Sequence, residues 1–114
     1  MTTSVTPSLN SGYGYEDLTL KNTETLTNLA VTITIQNTGA ATYDGAYNTV
    51  GSQITQSNSG LVYTFTQASG ATLSKGTWDF VAELESNGSH AASGDTWKIT
   101  YSSGGNNYAS SGTF

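Results

Sequence analysis

The sequence predicts an all-β domain built as two packed antiparallel sheets. Apolar residues recur with a period of two along most of the chain, turn-forming residues interrupt the runs at short intervals, and no segment has room for a helix of three turns. A chain of 114 residues can bury a hydrophobic core without metal or disulfide staples, so one domain is expected.

Residues 1–11 hold the only Pro among Thr and Ser and lack sustained periodicity, which predicts a flexible linker stub ahead of a domain spanning 12–114. Leu18 and Leu20 then alternate with Asp17, Thr19 and Lys21. Leu29, Val31, Ile33 and Ile35 form the clearest strand, because four β-compatible side chains share one face and a register slip of one residue would expose them all. A weaker pair is expected around Tyr47–Val50 and Gln53–Gln56. Leu61, Tyr63 and Phe65 follow the turn-like Ser57–Gly60. Trp78, Phe80, Ala82 and Leu84 face the core, with Asp79, Val81 and Glu83 outward, and Trp97, Ile99 and Tyr101 repeat the pattern. Ser103–Asn107 closes a hairpin whose second strand is Tyr108–Phe114. Seven or eight short strands with regular turns point to an immunoglobulin-like β-sandwich, with a jelly-roll-like variant as the other arrangement.

Composition narrows the function. Charged residues make up only 10% of the chain, Ser and Thr about a third, and two Trp, seven Tyr and three Phe argue against disorder. A net charge of -5 repels phosphate, which makes nucleic acid and anionic membranes poor partners. No apolar stretch approaches the roughly 20 residues that cross a bilayer, and the N-terminus lacks the pattern of a signal peptide. Secretion therefore implies a signal elsewhere on a longer chain.

Catalytic groups are scarce. His90 is the only imidazole, and its setting among Gly, Ser and Ala predicts a solvated loop histidine. Paired acids occur at Glu16–Asp17 and Asp79–Glu83, as glycoside hydrolysis needs, but Asp79 and Glu83 fall on the outer face of a strand, where acids serve solubility and edge protection. Zinc is disfavoured for want of Cys and a second His. A structural calcium has candidate ligands in Asp44, Asp95 and loop carbonyls, and no other cofactor is expected.

The remaining signal is aromatic. Trp78 and Trp97 read as core, whereas Tyr13, Tyr15, Tyr43, Tyr47 and Tyr108 sit among Gly, Asn, Asp and Thr. Exposed rings beside amides and carboxylates can stack on a sugar while their neighbours bond its hydroxyls. The segment containing Tyr43, Asp44, Tyr47 and Asn48 is the leading candidate site.

Two stretches carry a family resemblance. Val31-Thr-Ile-Thr-Ile-Gln-Asn-Thr-Gly39 resembles the strand and Asn-Thr-Gly turn of bacterial cellulose- and chitin-binding modules, and Thr72-Leu-Ser-Lys-Gly-Thr-Trp-Asp-Phe80 is similar to their Leu-x-x-Gly turn into an aromatic strand. The chain departs from that pattern in having no terminal disulfide and no matched row of surface tryptophans. The resemblance implies a noncatalytic, secreted or cell-surface module that binds polysaccharide and tethers an appended catalytic domain to it. The rival expectation is a structural spacer or adhesin-type immunoglobulin-like module. Both readings are of a protein that is not itself an enzyme.

Overall fold

The computed structural model describes residues 1–114 as nine strands and one short turn of 3-10 helix at Ala92–Gly94. The strands are β1 (Thr2–Leu9), β2 (Ser11–Asn22), β3 (Thr27–Thr34), β4 (Ala41–Asn48), β5 (Ile54–Ser59), β6 (Val62–Gln67), β7 (Gly76–Asn87), β8 (Thr96–Ser103) and β9 (Asn106–Thr113). They form a four-stranded sheet in the order β1-β2-β7-β4 and a five-stranded sheet in the order β5-β6-β3-β8-β9, with every pair antiparallel. This is the expected two-sheet, immunoglobulin-like sandwich.

The alternation read from the sequence is what buries the core. Leu29, Val31, Ile33 and Ile35 are all buried, facing Leu18, Leu20, Phe80 and Leu84 of the other sheet in one cluster. Phe65 and Phe80 meet edge to face with ring centroids 5.4 Å apart, the geometry that ring quadrupoles favour. Trp97 is buried, and Trp78 is half-buried against the core while its indole N–H donates to Asn22 Oδ1 at 3.0 Å.

Residues 2–9 differ from expectation. They form β1, which pairs with β2 over its whole length from Thr2↔Lys21 to Leu9↔Gly14. Val5 and Leu9 rest on the core, and Pro7 is tolerated because β1 is an edge strand with no second neighbour needing its missing N–H. The strand read at Tyr47–Val50 starts earlier, at Ala41, and Ser57–Ser59 lie inside β5 with the turn falling at Gly60-Leu61. Val81, read as outward, does face outward and is nonetheless fully buried.

Both ends of the inward row of β2 are polar. Asn22 closes one end, its amide donating to the carbonyls of Glu24 and Ser74. Glu16 closes the other, six residues or about 20 Å along the strand. Met1 lies at the Asn22 end, beside Leu26, Tyr101 and Tyr108. The last residue lies at the Glu16 end, where the Phe114 N–H donates to the carbonyl of Asp95. The first and last residues thus sit at opposite ends of a molecule 44 Å long and about half as wide.

Candidate functional site

The solvent face of the four-stranded sheet gathers three of the predicted tyrosines. On β2, Tyr13, Tyr15, Asp17 and Thr19 point outward, because Gly14, Glu16 and Leu18 point in. On β7 the outward residues are Asp79, Val81, Glu83 and Glu85, opposite Thr19, Asp17, Tyr15 and Tyr13 in turn. Tyr47 of β4 lies opposite Val81 on its other side, so Asp17, Val81 and Tyr47 form one row across the sheet.

The carboxylates of this face interact with each other and with the rings. Tyr13 donates its hydroxyl to Glu83 Oε2 at 3.0 Å, and its ring tilts against that of Tyr15 with centroids 6.2 Å apart. Thr19 donates to Asp79 Oδ1 at 2.7 Å. Partial burial, and then the neighbouring Asp79 carboxyl, push Asp17 up to about 6, with the Thr19 hydroxyl opposing. The Tyr47 phenol is raised by desolvation and then by Asp17, Glu83 and Asp79. The result is a mixed surface of phenol rings and hydrogen-bond acceptors.

The other predicted residues lie elsewhere. Tyr43 shares the inward side of β4 with Ala41, and its ring packs 5.3 Å from that of Tyr63, whose hydroxyl donates to the Glu83 carbonyl. Asp44 is exposed at the bulge between Tyr43 and Gly45. Asn48 has a turn-holding job: Oδ1 accepts from the N–H groups of Val50 and Gly51, and Nδ2 donates to Gln56. Tyr108 belongs to the other sheet, stacked on Tyr101 at 5.0 Å. The leading sequence candidate, Tyr43 to Asn48, is therefore not one platform. Tyr47 joins Tyr13 and Tyr15 instead.

A second polar assembly was missed in sequence. His90, read as a solvated loop residue, is buried, with Nε2 donating to Asp95 Oδ2 at 2.7 Å and lying 4.0 Å from Glu16 Oε2. Asp95 Oδ1 accepts from the backbone N–H of Gln36 at 2.7 Å. Neither Glu16 oxygen has a donor, nor has His90 Nδ1 a partner. Burial, and then the adjacent Asp95 carboxyl, hold Glu16 far above the usual carboxylate range. Asp95 is thus grouped with Glu16 and His90 rather than with Asp44, the other acid considered for calcium. The only signal available in sequence was Glu16 itself, an acid in phase with Leu18 and Leu20 and so on the core side of its strand.

No family model and no curated protein sequence matches the chain. Solved structures do. The chain is similar to the major pilin subunit BcpA of Bacillus cereus, with a TM-score of 0.65 at 11% identity, covering 98% of this chain and 38% of the pilin. It is also similar to an uncharacterized protein from Nocardia farcinica described as having an immunoglobulin-like fold, with a TM-score of 0.60 at 17% identity, covering 94% of this chain and 81% of the other. The chain spans well under half the length of the pilin subunit, and at these identities the likeness shows the immunoglobulin-like fold.

Proposed function

We propose that this chain is a noncatalytic, immunoglobulin-like structural module of a larger surface protein, built to carry load along its length. The observation that carries this reading is the placement of the first and last residues at opposite ends of the 44 Å axis. Tension applied there pulls β1 along β2 and β9 along β8, so the ladder hydrogen bonds of each terminal strand are loaded together rather than one at a time. The likeness of nearly the whole chain to part of a pilin subunit agrees with this role. The noncatalytic reading is supported by the enclosure of the only imidazole between two carboxylates. Stretching tandem copies between their ends tests the load-bearing role: high unfolding forces are expected, and unfolding at the low forces of a peeled sheet opposes it.

One observation favours a second reading. Tyr13, Tyr15 and Tyr47 share a face with Asp17, Asp79 and Glu83, which supplies stacking surfaces and hydroxyl acceptors together, as polysaccharide binding requires. Depletion from solution by cellulose, chitin, xylan or mannan, lost in Tyr15→Ala and Tyr47→Ala, supports that reading. No depletion by any of the four leaves the face without a glycan role.

A further inference from the structure

We propose that Glu16, His90 and Asp95 form a divalent-metal site, with a borderline ion such as Zn²⁺ as its occupant, that staples the two sheets together. Glu16 comes from β2 of the four-stranded sheet, Asp95 immediately precedes β8 of the five-stranded sheet, and His90 lies on the connection between β7 and β8. One ligand atom from each lies within 4.8 Å of the others, and all three residues are buried. Tetrahedral zinc holds nitrogen and carboxylate ligands at about 2.0–2.2 Å, so its ligand atoms stand about 3.3–3.6 Å apart. The separations of 2.7 Å from His90 Nε2 to Asp95 and 4.0 Å to Glu16 lie on either side of that, so Asp95 would draw back from the imidazole and Glu16 would close on it to admit the ion.

The independent observation is Glu16. Its carboxyl is completely buried, is aimed at His90, and has no hydrogen-bond donor on either oxygen. A carboxyl buried beside a second acid, with no donor on either oxygen, is an unfavourable group for a fold to carry. Two carboxylates, a neutral imidazole and a dication sum to zero charge and give the orphaned oxygens a ligand. The Gln36 N–H fixes the second oxygen of Asp95, as an outer hydrogen bond commonly does for a metal-binding carboxylate. The imidazole argues against calcium, which takes six to eight oxygens, and for an ion that accepts nitrogen. A cleft lined by Gln36, Thr38, Ser89, His90 and Ser93 brings solvent up to His90. In a chain without cysteine, such an ion would link the sheets where a disulfide cannot.

His90 is the only histidine and there is no cysteine, so an untagged chain reports on this site without ambiguity. Chelator-stripped protein should bind Zn²⁺ at one equivalent by calorimetry, with Tm rising on the order of 10 °C at a hundredfold excess over Kd. The ring NMR signals of His90 should shift in step, and Co²⁺ should give the visible absorption of a four-coordinate site. Mg²⁺ and Ca²⁺ should do neither. Glu16→Gln and His90→Asn should abolish the zinc-dependent rise in Tm. Should either variant fail to fold, the His90 signals of the unaltered chain decide the matter. Unmoved His90 signals and Tm in excess Zn²⁺ overturn the proposal, as does a zinc-dependent shift that persists in both variants.

Discussion

Tyr43 and Tyr47 stand four residues apart on one strand and yet face opposite sides of the sheet. Tyr43 lies opposite the inward Leu84 and Tyr47 opposite the outward Val81, because the bulge between Tyr43 and Gly45 inserts one extra residue. Gly45 makes the bulge affordable, holding φ at +133°, where a side chain would be strained. The two rings therefore have different work. Tyr43→Ala should lower stability by about 1 kcal/mol through loss of the contact with Tyr63. The two residues are similarly exposed, but Tyr47 packs against no other ring, so Tyr47→Ala should cost less than half of that. Paired urea denaturation curves check the ordering.

Asp17 gives the fold a pH dependence of definite sign. Its folded-state value of about 6 lies above the ordinary 3.8, so the folded chain holds a proton that the unfolded chain has released between those values. Its contribution to stability is fully present below pH about 4 and is lost as pH rises through about 6. Asp17→Asn should raise Tm at pH 7, leave it little changed at pH 3.5, and flatten the decline between. Melting scans across that range read the effect.

Gly112 and Trp97 are direct cross-strand partners, with the indole covering the glycine. A Cβ at Gly112 would come 2.8 Å from Trp97 Cζ2 and 2.9 Å from Cε2, inside contact distance of a ring that is packed in place. Gly112→Ala should destabilise the domain by about 1–3 kcal/mol and shift the tryptophan emission. Fluorescence-detected denaturation follows both.

Deleting residues 1–9 separates a flexible stub from a structural strand. The deletion uncovers β2 as a new edge and removes Val5 and Leu9 from the core, which should cost about 2 kcal/mol or more. A stub would cost nothing. Chemical denaturation of the two lengths checks the difference.

What the sequence revealed follows from how local each signal is. The alternation of Leu29 to Ile35 or of Trp97 to Tyr101 states a face and a period within one strand, and the structure keeps both. β1 was hidden because an edge strand draws its order from backbone pairing with β2, and Thr2, Ser4, Thr6 and Ser8 look outward like the residues of a linker. The burial of His90 was hidden for a related reason. Gly88 to Gly94 reads as a solvated loop on its own, and only the approach of Glu16, more than seventy positions earlier, and of Asp95 encloses the ring. Tyrosines were recognisable as a surface class, but their division between faces turned on one bulge whose Asp44-Gly45 signal reads equally well as a turn.

Direction-dependent unfolding tests the load-bearing account most directly. Pulling between residues 1 and 114 loads β1 and β9 along their lengths, whereas pulling between residue 1 and a cysteine at Asn106→Cys joins two points at the same end of the sandwich. Single-molecule stretching in both directions should give a clearly higher unfolding force end to end than across that end, with thermal stability equal in the two preparations. Equal forces, or a lower force end to end, would contradict the account.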